Sequence, residues 1–273
     1  MPGDIVFPAT STPPSKHPRR KFASLRAVLA LILREMTTAY GRSPGGYMWS
    51  IVEPAAAITL LTIIFSLGFR SPPLGNNFAI FYASGMLPFM AYNNVSGTVA
   101  SAINYSKSLL AYPSVTYIDA IFGRFLLNMM TQMLVSLILI TGILWFFETR
   151  TTLELLKILL AFSLTASLAL GIGTLNCFLA SMYPVWQRIW SVVTRPLFLI
   201  SGIIFLLETV PQPFRDFLWY NPLVHIIAIM RSAFYTSYDA PWASPLYVMI
   251  ISSVSFTVGL VFLHRYHREI LHR

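Results

Sequence analysis

Apolar residues fall along this chain in long unbroken blocks separated by short polar stretches. The first apolar segment is an exception. Between 22 and 40, Phe22, Leu25, Leu29, Ile32, Leu33 and Met36 recur at helical spacing, and Arg20, Lys21, Arg26 and Arg34 supply the basic positions around them. A basic amphipathic helix of this kind lies in the headgroup region of a bilayer, and its uninterrupted apolar part, 27–33, is too short to cross one. Six later blocks suffice for about 30 Å of hydrocarbon at about 1.5 Å per residue: 51–69, 78–100, 120–147, 158–180, 189–207 and 246–263, with edges uncertain by a few residues. The pattern predicts an all-α integral membrane protein with one interface helix and six spans. No internal repeat is visible, which argues against the inverted-repeat architecture of many secondary transporters.

Two connections carry structure of their own. Segment 101–119 shows a short helical pattern at Ile103, Leu109 and Leu110, which Tyr112-Pro113 ends. Segment 208–245 is long yet apolar, and Asn221-Pro222 splits it into two pieces, 214–220 and 223–235. Each piece is too short to span and too apolar to float in water, the profile of interfacial or re-entrant helices buried in protein or lining a cavity. Residues 1–20 are rich in Pro, Ser and Thr and read as a disordered cytoplasmic tail without the apolar core of a cleavable signal. Residues 21–273 read as one transmembrane domain.

Composition agrees, with 56% hydrophobic and 11% charged residues, against about 25% charged in a soluble domain. The formal charge of +9 has no folded water-soluble face on which to bind nucleic acid. It instead sets orientation. If both ends are cytoplasmic, fourteen of the nineteen Lys and Arg lie on that side, as the positive-inside rule requires. Arg124, about a turn inside the third span, is expected to snorkel to the cytoplasmic interface. Cys177 lies in an apolar run and reads as packing.

Catalytic chemistry is nearly absent. His17, His264, His267 and His272 sit in terminal segments and His225 in the outer one. There is no His/Cys/carboxylate cluster with metal spacing, no acidic pair within one span, and no GxxxxGK(S/T) phosphate loop. Glu208, Asp216, His225 and Asp239 are the one grouping on which an integral-membrane glycan transferase could draw. If the chain moves cargo uphill, the energy comes from another polypeptide.

The stretch YGRSPGGYMWSIVEP at 40–54, the cytoplasmic helix between spans two and three, and the broken helix pair around WYNPL at 219–223 together resemble the transmembrane subunit of type-2 ABC exporters. The likeness covers about 20–270 and is strongest to the permease subunit of bacterial capsular polysaccharide exporters. It implies a homodimer in the bacterial inner membrane, both termini cytoplasmic, joined to two copies of a separate ATPase. ATP and Mg would be bound by that partner and no cofactor by this chain. A glycolipid or polysaccharide would be the cargo, with periplasmic and outer-membrane export proteins as further partners. O-antigen, teichoic acid, lipo-oligosaccharide or a drug are alternative cargoes for the same fold.

Residue by residue, the resemblance makes Asn104, Tyr105, Ser106, Lys107, Leu109, Leu110, Tyr112 and Pro113 an ATPase-docking helix, and Trp219, Tyr220, Asn221 and Pro222 a periplasmic gate. Arg42, Gly46, Trp49, Glu53 and Pro54 form a membrane elbow. There glycines and Pro44 turn the chain sharply, Trp49 suits the headgroup belt, and Glu53 and Pro54 suit the first turn of the spanning helix. Sugar rings present apolar C–H faces to aromatic side chains, so Phe65, Phe69, Phe89, Tyr92, Trp190 and Phe198 are candidates for the translocation path. Arg70, with Arg195 and Arg231, is a candidate cation for an acidic polymer.

Overall fold

A computed structural model describes residues 23–39, 46–110, 116–149 and 151–272. Among them the chain forms ten α-helices, one 3-10 turn and no strand: α1 (Ala23–Ala39), α2 (Gly46–Gly68), α3 (Phe78–Ala100), α4 (Ala102–Leu110), α5 (Tyr117–Phe146), α6 (Leu155–Met182), α7 (Trp186–Ile200), α8 (Phe214–Trp219), α9 (Pro222–Phe234) and α10 (Pro245–His272). Four stretches are long and apolar enough to cross a membrane: Met48–Gly68, Tyr117–Phe146, Leu155–Met182 and Pro245–His267.

Helix α6 sits at the centre because glycines on it and on α10 let the helices meet at backbone distance. A Cβ at Gly171 would collide with the main chain of Ser252, and one at Gly259 would lie 2.7 Å from the Leu175 nitrogen. These contacts advance together along both helices, so α6 and α10 run parallel, and the Phe178 and Phe262 rings stack 5.1 Å apart further on. Helix α3 joins them in the same direction, with Val99 and Ser96 against Gly173. Helix α5 runs the opposite way, its start tied to the end of α10 by Tyr117 Oη and His264 Nδ1 at 3.2 Å. A capping box starts α5: the Thr116 hydroxyl accepts from the Asp119 N–H, and the Asp119 carboxylate accepts from the Thr116 N–H at 3.0 Å.

Helix α3 is as long as a span but is more polar, with Asn93, Asn94, Ser84, Ser96 and Thr98. It is wrapped by protein: seventeen of its 23 residues are buried. A helix surrounded by other helices needs no lipid-facing apolar surface, which is why its hydropathy is the weaker signal.

Two expectations change. The predicted fifth span at 189–207 is a helix of only 15 residues, Trp186–Ile200, about 22 Å at 1.5 Å per residue. Pro196 withholds one backbone donor inside it, and Gly202 at φ 75° turns the chain out of helical geometry beyond its end. Helix α2 begins at Gly46, so Glu53 and Pro54 lie about two turns inside it and its first turn holds no acid. The dipole argument for Glu53 therefore fails. Pro54 is an interior proline, buried on the helix face.

Substituting Gly171 by Leu should destabilise the protein by about 1–3 kcal/mol or more, because the opposing atoms are backbone and cannot yield. Gly142→Leu, whose Cβ would meet nothing within 4 Å, should leave the thermal unfolding midpoint in detergent unchanged. Equal midpoints for the two variants would contradict the close α6–α10 packing.

Candidate functional site

At the end of the bundle where α3, α6 and α10 finish, the chain turns at Ser101 from α3 into the short helix α4. Ala102, Ile103 and Ser106 are buried and form its packing face, while Asn104, Tyr105 and Lys107 are exposed. Leu109 and Leu110 complete the helix, although their side chains lie outside the described set, as do Tyr112, Pro113 and, at the elbow, Arg42. Ser106 is thus held within the protein, and the other three present a surface on which a partner could dock.

Arg124 of α5 organises this end. Its Nε donates to Glu35 Oε1 of α1 at 3.0 Å, and its Nη1 reaches the Ser101 carbonyl and hydroxyl oxygens, both at 3.3 Å. Its guanidinium lies 4.2 Å from the Tyr105 ring centre. One side chain therefore touches α1, the α3–α4 turn and α4 itself. The pair is largely withdrawn from water, with side-chain exposures of 12% for Arg124 and 7% for Glu35. Arg124 is accordingly paired within the protein, and the expected snorkelling is corrected. Glu35, the sole acid between 5 and 52, carried the signal that sequence reasoning missed. On the remaining faces of α1, Val28 and Leu31 approach Gly123 of α5, whereas Leu29, Leu33 and Met36 are exposed.

The opposite end carries the broken pair α8 and α9. Asn221 caps α9 through Oδ1 and the Leu223 N–H at 3.1 Å, and Pro222 occupies the first turn. The Asn221 amide also donates to the Ile200 carbonyl and the Ser201 hydroxyl, each at 3.2 Å, which binds the hairpin to the end of α7. His225 is wholly buried. Its Nε2 lies 2.8 Å from the Trp219 carbonyl and its Nδ1 3.1 Å from the Ser244 N–H. A carbonyl only accepts and an amide only donates, so the neutral Nε2–H tautomer is fixed. Tyr247 of α10 donates to the Tyr220 carbonyl at 2.8 Å. The four residues assigned to the gate thus lie together in one hydrogen-bonded corner.

Arg231 of α9 is 2% exposed. Its two terminal nitrogens donate to the carbonyls of Ile203 at 2.7 Å and Phe205 at 2.9 Å, and its guanidinium lies 4.3 Å from the Phe81 ring centre. Both carbonyls lie in the non-helical segment that follows α7, so this cation ties that segment to α9 and is committed to main-chain partners. Arg70 and Arg195 are exposed.

The aromatic path candidates separate into groups. Phe65 packs on Phe69 at 5.9 Å and Tyr82 at 5.3 Å beside Arg70, at the end of α2. Phe89 meets Phe198 edge-on at 5.7 Å, joining α3 to α7. Tyr92 is buried in α3, and Trp190 lies near the opposite end of the bundle, stacked on Trp186. Gly46 and Trp49 start α2, with Trp49 63% exposed.

The acidic grouping does not assemble with His225. Glu208 and Asp216 line a cavity of about 330 Å³ with Arg215, Trp219 and Trp242. There the Glu208 carboxylate accepts from the Trp242 indole at 2.7 Å and the Tyr238 hydroxyl at 3.0 Å. Burial, with Glu208 beside it, pushes the Tyr238 hydroxyl above the usual phenol range, which keeps it a donor. Both nitrogens of His225 face main-chain groups. Among the described residues no group of three or more His, Cys, Asp or Glu could hold a metal.

A family model described as ABC-2 type transporter matches residues 26–235, from α1 to the end of α9. The chain is 31% identical to the polysialic acid transport protein KpsM of Escherichia coli, over 89% of this chain and 93% of that protein. It is 26% identical to the capsule polysaccharide export inner-membrane protein CtrC of Neisseria meningitidis serogroup A, over 90% and 92% of the two. Against the O-antigen export system permease protein RfbA of Myxococcus xanthus the identity is 23%, over 83% and 86%.

Removing one member of a buried ion pair leaves the other charge uncompensated, at a cost of about 3–5 kcal/mol. Arg124→Leu and Glu35→Leu should each lose about 3 kcal/mol of stability, and the double variant should lose less than the two together. Denaturation of the purified chain in mixed micelles measures this. Additive losses would show that the two side chains are not coupled.

Proposed function

Because the chain belongs to the ABC-2 type transporter family, we propose that it is the permease subunit of an ATP-driven exporter of capsular polysaccharide. The observation that carries this reading is the likeness, along about nine-tenths of the chain, to KpsM and CtrC. The chain works as a homodimer in the bacterial inner membrane with two copies of a separate cytoplasmic ATPase. That partner binds ATP and Mg, and this chain brings no cofactor of its own. Residues 21–273 act as one permease domain. α2, α3, α5, α6 and α10 are five of its six crossings, α7 with the non-helical stretch 201–206 beyond it is the sixth, and α1 lies along the membrane surface. The α4 end is cytoplasmic, in keeping with Lys107, Arg124, Arg188 and Arg265 gathered there. The weaker likeness to RfbA supports O-antigen as the second cargo reading.

The geometry supplies a mechanism. An ATPase pressing on Asn104, Tyr105 and Lys107 pushes α4, and through Ser101 it pushes α3. Arg124 touches α1, α4 and the α3–α4 turn at once, so these elements move with α5 as a unit. α7 has no buried residue, and α2 exposes Leu60, Ile63 and Ile64. Those faces meet the second copy, and the route for the glycan opens between them. The α8–α9 corner, hinged on Asn221, closes its outer end, beyond which periplasmic and outer-membrane export proteins continue the route.

Tyr105→Asp and Lys107→Glu should cut recovery of the ATPase with the tagged permease about tenfold, equivalent to about 1.4 kcal/mol, and capsule export with it. Trp145→Ala, at an 84% exposed position on the far end of α5, should change neither. Full recovery and full export in the α4 variants would remove α4 as the docking element.

A further inference from the structure

Between α3, the end of α6 and the start of α7 lies a cavity of about 260 Å³, on the α4 side of the bundle. None of the residues lining it is charged. Its volume is just below the range of about 300–1,000 Å³ for drug-sized ligands, and it suits a single sugar ring.

One wall residue, Asn176, fixes another, Trp186. Trp186 Nε1 donates to Asn176 Oδ1 at 2.9 Å. An indole nitrogen only donates, so the carboxamide oxygen must face it. That choice leaves the Asn176 Nδ2, with two N–H donors, without a hydrogen-bond partner in a side chain only 3% exposed. That nitrogen is enclosed by protein, so the part Asn176 plays at the wall is to fix the Trp186 indole through its oxygen. The hydroxyls of Ser96 and Thr194 also line the cavity and donate to carbonyls of their own helices, Asn93 at 3.3 Å and Trp190 at 2.8 Å. Their oxygens keep lone pairs that can accept from an incoming O–H.

Two further features match a sugar. Trp186 and Trp190 stack on each other in the wall, ring centres 6.2 Å apart and planes 24° from parallel, and the stack offers an aromatic surface for C–H groups. Gly97 lines the cavity from α3, and a Cβ there would meet nothing within 4 Å. Helix packing does not require that glycine, whose effect is to leave space. A phosphate headgroup would want a cation, and the wall has none.

We infer that this cavity is a subsite for one uncharged, hydroxyl-rich sugar residue of the exported glycan, with the Ser96 and Thr194 hydroxyl oxygens accepting from it, the Trp186–Trp190 stack covering a ring face, and Asn176 holding the Trp186 indole in place. The inference rests on the exporter reading above and names where and how its cargo is first recognised, before any step that uses ATP.

The test uses the full chain in phospholipid nanodiscs without an ATPase. Methyl glycosides of glucose, galactose and N-acetylglucosamine are titrated while tryptophan emission is read, and Trp186→Phe assigns the signal. At least one glycoside should give a saturable change. Asn176→Leu should weaken it about tenfold, Gly97→Leu should abolish it by filling the space, and Trp145→Phe should leave it intact. If Asn176→Leu does not fold, Gly97→Leu decides alone, since a Cβ there meets nothing within 4 Å and the rest of the side chain has the cavity to occupy. No saturable response to any glycoside, a response that survives Gly97→Leu, or one reproduced by phosphoethanolamine overturns the subsite. Loss of the subsite with ATP-driven export intact leaves the exporter reading standing. Glycoside binding by a chain that recruits no ATPase does the reverse.

Discussion

The ion pair between Arg124 and Glu35 is the interaction on which the α4 end of this protein depends. An arginine inside a helix that faces hydrocarbon must reach water or find a partner, because an unpaired charge there is costly. Here the partner comes from α1, 89 residues earlier in the chain. One of the two terminal guanidinium nitrogens, Nη1, donates to both oxygens of Ser101. Helix α1 is thereby locked in register against α5 and against the turn that launches α4. A permease driven from outside needs this property, since a push on a short surface helix is lost unless that helix is tied to the ones that must move.

The other end solves a related problem with different groups. Where α7 stops and in the non-helical segment that follows it, main-chain carbonyls are left at depth, and no water of the bulk phase is available to them. Arg231 closes those of Ile203 and Phe205, and Asn221 that of Ile200. His225, fixed in one tautomer, ties α8 to the approach to α10. The molecule is consequently uneven: a close-packed block of α3, α6, α9 and α10 on one side, and α2 and α7 more lightly held on the other. In the exporter reading, the lightly held helices are those that shift against a second copy while the block stays whole.

Much of this was legible in the hydropathy pattern. Long apolar blocks placed α2, α5, α6 and α10, and Asn221-Pro222 placed the break between α8 and α9, because length and proline chemistry are local properties. What the pattern could not supply depends on partners far along the chain. Arg231 reads as a basic residue on an outer loop until the carbonyls of Ile203 and Phe205 are seen to converge on it. Arg124 reads as a snorkelling side chain until Glu35 is found beside it. The start of α2 was misplaced because Gly46 and Pro54 are helix breakers in isolation, yet here both belong to one helix. The cavity at Asn176 left no trace in the sequence, since Trp186 lies ten residues on and its indole returns across the α6–α7 turn.

The central claim is that this chain moves cargo only when a nucleotide-burning partner drives it. The most direct measurement is glycan translocation in sealed vesicles that hold the permease with or without its cognate ATPase, with and without ATP. The account predicts movement only when the ATPase and ATP are both present. Accumulation of glycan in vesicles that hold the permease alone would contradict it.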